Sequence, residues 1–97
     1  MKVMQFLPKL RLFLKENGAI YTVRRYEMKE EIVKVETVGE CRRIPLGVVH
    51  KEDLEPYASM SGFHNLADWW EMINRFCSDN KSPKYLYRVE KIDRGIK

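Results

Sequence analysis

The sequence predicts an α+β fold: a small, mostly antiparallel sheet, curled into a β-barrel, with flanking helices. Three observations carry this expectation. Leu66, Trp69, Trp70, Ile73, Phe76 and Cys77 recur at the i, i+3, i+4, i+7 spacing of an amphipathic helix. Residues 19–26, 31–38, 41–49 and 84–92 are rich in β-branched and aromatic side chains and partly alternate in polarity, as half-buried strands do. Glycines and prolines punctuate the chain at short intervals, so the elements are brief and must cover one another to bury an apolar face.

Taken in order, residues 2–6 read as a short strand. Pro8 suits the first turn of a helix whose apolar side is Leu10, Leu12, Phe13 and Leu14, and Asn17-Gly18 stops it. Residues 19–26 form the next strand, and residues 27–30 turn the chain back. In residues 31–38, Val33 and Val35 oppose Lys34 and Glu36 across the strand. Gly39 breaks that strand. Residues 41–49 make another, irregular at Pro45 and Gly47 as an edge or bulge would be.

A first helix of the following pair starts near Leu54, with Asp53 as its cap and Pro56 in its first turn. Gly62 ends it at a positive φ, and Phe63 turns inward to pin the two helices together. Asn65 caps the second helix near Asp68, and Glu71 and Arg75 pair along its surface. Burying Phe63, Trp69 and Trp70 stabilises by about 2–3 kcal/mol each before entropy is counted. At this spacing the tryptophans read first as core and only second as a base-stacking platform. Residues 78–83 form a polar loop, residues 84–92 return to the sheet, and the tail 93–97 frays.

Ninety-seven residues make one domain, 1–97, with a core that needs neither metal nor disulfide. No apolar run is long enough to span a membrane, and the interrupted opening MKVMQFLPKL lacks the form of a signal peptide, so a cytoplasmic location is expected. Cys41 and Cys77 then read as reduced thiols. Cys41, His50, His64 and Cys77 lack the close ligand pairs that zinc favours, so no metal and no cofactor is expected. Eighteen Lys and Arg against fourteen Asp and Glu leave a net charge of +4, compatible with a polyanionic partner.

The candidate binding residues sit on the strands. Thr22 and Arg24 share a face and read either as a small phosphate-binding pair or as part of a structural salt bridge. Arg25 points to the other face, and Tyr26 either stacks on a base or covers the rim. Arg42 and Arg43 are likewise opposed. With Arg25 and Lys29 they form either a basic strip that tracks a nucleic-acid backbone or a solvated face of mixed charge among Glu27, Glu30, Glu31, Glu36 and Glu40. His64 has no sequence-adjacent nucleophile, and Ser59 and Ser61 suit local bonds to the helix end. Glu52, Asp53 and Glu55 are accounted for by the helix dipole.

The order of elements resembles the ASCH family, within the PUA-like fold. The likeness is carried by Thr22-Val23-Arg24 after an N-terminal helix and a glycine, by the corner at residues 57–63 before a helix with Trp69 and Trp70, and by the closing strand at residues 85–89. It runs from about Phe6 to Ile92. The resemblance implies a barrel with a cleft beside the helices and a role on RNA or a nucleotide-containing ligand; some members are instead small hydrolases of acylated nucleosides, and some are nucleases. In the family's signature strand, Arg24 fills the arginine place and Thr22 the polar place. Ala19 stands where the lysine belongs and Asn17 where the glycine belongs, with Gly18 displaced by one. Alanine can neither accept a proton nor hold a developing negative charge, which weakens the hydrolase reading. The expectation is therefore a module that binds RNA or a nucleotide-containing ligand without doing chemistry, ahead of a small hydrolase of modified nucleosides or a protein–protein module.

Overall fold

The computed structural model describes residues 2–76 and 83–92. The elements are β1 (Lys2–Val3), α1 (Pro8–Asn17), β2 (Ala19–Arg24), β3 (Glu31–Val35), β4 (Gly39–Val49), a 3-10 helix (Lys51–Met60), α2 (Leu66–Phe76) and β5 (Lys84–Lys91). The five strands form one sheet in the order β1-β3-β4-β5-β2. Only the β1–β3 pair is parallel. The fold is thus α+β with a mostly antiparallel sheet.

Its strand pairings form an open series rather than a ring. β1 and β2 are the two ends, and no backbone pairing joins them among the described residues. One side chain crosses between these ends: the Arg24 Nη2 donates to the Gln5 carbonyl at 2.8 Å.

Register explains which strand residues are buried. Ile20, Thr22 and Arg24 stand opposite Val89, Tyr87 and Tyr85 of β5. Val89 stands opposite Arg43 of β4, and Cys41 opposite Val33 of β3, so these residues share one face. Leu14, Val33, Val35, Cys41 and Val89 on or under that face are fully buried in a single apolar cluster with Phe63, Trp69 and Ile73. Burial pushes the Cys41 thiol above its ordinary pKa, against a weaker opposite pull from Lys91. The thiol therefore stays neutral. The expectation for Cys77, the rest of the loop at 78–82 and the tail at 93–97 lies outside the described residues.

Several boundaries differ from the sequence expectation. β1 has two residues and is continued only by the Met4 N–H bonding to the Lys34 carbonyl at 2.9 Å. β2 ends at Arg24 and not at residue 26. β3 stops at Val35 because Thr37 turns at φ 65° and Val38 N–H closes back on the Val35 carbonyl at 3.0 Å. Gly39 then opens β4, paired with Val35, where a break was expected. The irregularity at Pro45 and Gly47 is present as a shift of register against β5.

The helix expected from Leu54 is a 3-10 helix that starts at Lys51. Pro56 in its middle has no N–H to give to a carbonyl four residues back, which works against an α-helical ladder there. Asp53 caps by a different route from the one expected. Its carboxylate reaches back to the His50 N–H at 3.0 Å, while its own N–H bonds to the His50 carbonyl at 2.9 Å. The remaining caps are as the sequence indicates. The Asn65 side-chain oxygen accepts from the Asp68 N–H at 2.8 Å, and Gly18 ends α1 in the left-handed region.

Candidate ligand-binding cleft

The corner between the two C-terminal helices is held from inside. Buried Ser61 donates through Oγ to the Ala58 carbonyl at 2.6 Å and accepts from the Phe63 N–H at 3.2 Å. With both bonds made, this hydroxyl is structural. Gly62 follows at φ 87°, and a Cβ there would lie 2.6 Å from Leu10 Cδ2 of α1. The corner therefore sits directly against α1, and Phe63 is buried as expected.

Beside that corner lies a cleft of about 550 Å³. Every residue from Ile20 to Tyr26 lines it. Side chains of a strand alternate between faces, so an unbroken run of lining residues means that the cleft follows the strand's edge. Gln5, Phe6 and Leu7 from the β1–α1 connection line it as well. The cleft thus occupies the seam between the two ends of the sheet.

α2 forms a further wall. Trp69, Met72, Ile73 and Phe76, one stripe at helical spacing, all border the cleft. Trp69 is only 2% exposed and belongs to the core, whereas Phe76 at the end of the same stripe is 62% exposed. Tyr26 is also 62% exposed. These two are the exposed large aromatics among the described residues, and both border the cleft.

The charged lining has one sign. Arg24 and Arg25 are the charged residues of the cleft among the described residues, and no acid, histidine, lysine or cysteine lines it. Arg24 lies over the Phe6 ring, 4.9 Å from its centroid, while bonding to Gln5. Arg25 was expected to point away from Arg24. It lies just beyond the end of β2 and, like every residue from Ile20 to Tyr26, borders the cleft along the strand's edge. Its guanidinium lies 4.9 Å from the Tyr26 ring centroid and donates through Nη2 to the Tyr26 hydroxyl at 2.6 Å. Thr22 is buried in the cleft wall, opposite Tyr87.

Tyr87 fixes the segment that carries Tyr26. Its hydroxyl donates to the Tyr26 carbonyl at 2.7 Å and accepts from the Met28 N–H at 2.6 Å. Burial raises its pKa, outweighing the opposite effects of the Met28 amide and Arg43, so the phenol keeps the proton it donates.

Arg42 and Arg43 are not part of the cleft. Arg42 is exposed and pairs with Glu30 at 3.2 Å. Arg43 is only 3% exposed; its Nη2 bonds to the Lys29 carbonyl and to Glu31, both at 2.9 Å. Of the two readings of this pair, a basic strip or a face of mixed charge, Arg42 on Glu30 fits the mixed-charge one, and Arg43 fits neither because it is buried. Arg43 ties the β2–β3 connection to β4, because a buried guanidinium must spend its donors on protein acceptors. Phe76, Met72, Tyr87 and Gln5 were not singled out from the sequence. The apolar stripe of α2 did include Phe76, but as core, and it did not include Met72. Tyr87 and Gln5 act through the sheet pairing and the seam, which leave no local mark in the sequence.

Comparison of the chain with protein families, with curated proteins and with solved structures finds no match. Among the described residues, no helix is long and apolar enough to cross a membrane.

Proposed function

We propose that this chain is a non-catalytic binding domain for RNA or a nucleotide-containing ligand, held in the cleft along β2. The observation that carries the reading is the cleft itself: apolar walls, exposed aromatics on its border, and charge supplied by Arg24 and Arg25. Ligand pockets of this volume are ordinarily mostly apolar with a few polar groups that set orientation. Guanidinium groups favour phosphate through paired donors, and exposed rings favour bases. The resemblance to the ASCH family points the same way. Under that reading the sheet is the curled wall of a PUA-like barrel, its seam spanned by the Arg24–Gln5 bond, and the setting is cytoplasmic.

The cleft offers a hydrolase little to work with. Among the described residues its lining holds no histidine, cysteine, lysine or acid, and its Ser61 hydroxyl is engaged in local bonds. The test is a fluorescence titration with labelled single-stranded RNA at low salt. Binding is expected, with Arg25→Ala weakening it about tenfold or more. Arg25→Ala is preferred to Arg24→Ala because Arg24 also bridges the seam. Inertness toward a broad RNA, DNA and nucleotide panel at low salt sinks the proposal.

A further inference from the structure

The distribution of charge says how much of a nucleic acid the cleft engages. A strand-tracking surface needs a row of cations spaced along the backbone. The strip that Arg25, Lys29, Arg42 and Arg43 could have formed is not assembled at the cleft. Arg43 is buried on Lys29 and Glu31, and Arg42 lies outside the cleft on Glu30. Among the described residues, the cations that line the cleft are Arg24 and Arg25, with Lys9 close by on the Phe63 ring at 4.4 Å. That is enough for one phosphate group and too little for a chain of them.

The apolar part agrees in scale. A volume of about 550 Å³ falls in the range of pockets that enclose one drug-sized molecule. Exposed Tyr26 borders the cleft on the β2 side and exposed Phe76 on the α2 side, and aromatic rings are the partners on which a base that has left its stack packs. Tyr26 also carries the Arg25 guanidinium, so an aromatic surface and a phosphate donor are joined at the same rim.

We infer that the cleft is a single-nucleotide pocket, which takes one unstacked nucleotide with its phosphate on Arg24 and Arg25 and its base against Tyr26 and Phe76. This inference rests on the nucleotide-binding reading above and narrows it: the unit recognised is a nucleoside phosphate, free or within a strand, and not a length of backbone.

Two quantities test it together, each read by fluorescence titration of the full chain. The first is length dependence, comparing a nucleoside 5′-monophosphate with a trinucleotide and a dodecanucleotide of the same base. The expected affinity per nucleotide is equal within about threefold across the series. The second is salt dependence. Two or three cations on a single strand give a slope of log K against log[salt] of about −1.4 to −2, whereas five give about −3.5. Phe76→Ala is expected to weaken the monophosphate and the dodecamer alike, by about tenfold, as loss of one stacking partner does. Removing the phosphate, by using the nucleoside, costs a similar factor. Arg42→Ala changes nothing.

An affinity per nucleotide that climbs steeply with length, a slope near −3.5 and a loss on Arg42→Ala would overturn the single-nucleotide pocket while leaving RNA binding intact. Dodecamer binding with an inert monophosphate does the same. If neither monophosphate nor oligomer binds at low salt, the nucleotide-binding reading fails and takes this inference with it.

Discussion

At the scale of single residues, Gly62 is the glycine whose added Cβ would meet the most crowding. Two separate effects meet there. Its φ of 87° lies in the left-handed region, which costs a side-chain-bearing residue roughly 1–2 kcal/mol. Its missing Cβ also leaves room for Leu10, which a methyl group would approach to 2.6 Å. Gly18 has a similar φ of 84° but open space within 4 Å of the same point. The pair therefore separates backbone strain from crowding. Gly18→Ala is expected to destabilise by about 1–2 kcal/mol, and Gly62→Ala by about 1–3 kcal/mol more, the usual cost of overpacking. Urea denaturation midpoints measure both. Equal losses at the two sites would mean that Leu10 yields freely and the corner is not seated on α1 as described.

At the scale of elements, the cleft rim depends on a contact between strands that are not neighbours in sequence. β5 presents Tyr87 beneath the end of β2, and one hydroxyl satisfies both the Tyr26 carbonyl and the Met28 N–H. Removing it leaves two backbone groups in a part-buried place without that partner. Tyr87→Phe is expected to cost about 1–3 kcal/mol of stability. It should also weaken ligand binding, although the hydroxyl touches no ligand, because Tyr26 and Arg25 are carried on the segment it ties down. The readout is the ratio of affinities for wild type and variant at a temperature where both are folded. An unchanged affinity alongside reduced stability would confine Tyr87 to the fold and detach it from the site.

At the scale of the whole molecule, the order β1-β3-β4-β5-β2 predicts an uneven distribution of protection. β4 and β5 are paired on both sides over long stretches, β3 is paired on its second side only by the two residues of β1, and β1 and β2 have one neighbour each. Native-state hydrogen exchange is expected to be slowest in the middle of β4 and β5, at Arg43 and at residues 86–89, and fastest at Lys2 and Val3. Within β2, amides directed at β5 should be protected and those directed at the seam should exchange faster. Uniformly slow exchange along β2 would indicate that the seam is closed by a further pairing, and the cleft would then have to be redrawn.

Much of this was legible in the chain itself, because local physical chemistry decides it. The α2 stripe, the Asn65 cap, the stop at Gly18, the positive φ at Gly62 and the irregularity at Pro45 and Gly47 each follow from the residues that carry them. Thr22 and Arg24 could be singled out for the same reason: a strand repeats every two residues. The sequence did not reveal where the sheet ends. That depends on which strands meet, and β1 pairs with β3, more than twenty-five residues away in number. From that one tertiary outcome comes the seam, and from the seam the cleft. Burial separated the arginines in the same way. Arg42 and Arg43 are chemically identical neighbours, yet the register of β4 sends one to solvent and the other beneath the β2–β3 connection, where its charge is spent on Lys29 and Glu31. Identity of residue sets what a side chain can do, and only the packing of distant strands sets whether a ligand can reach it.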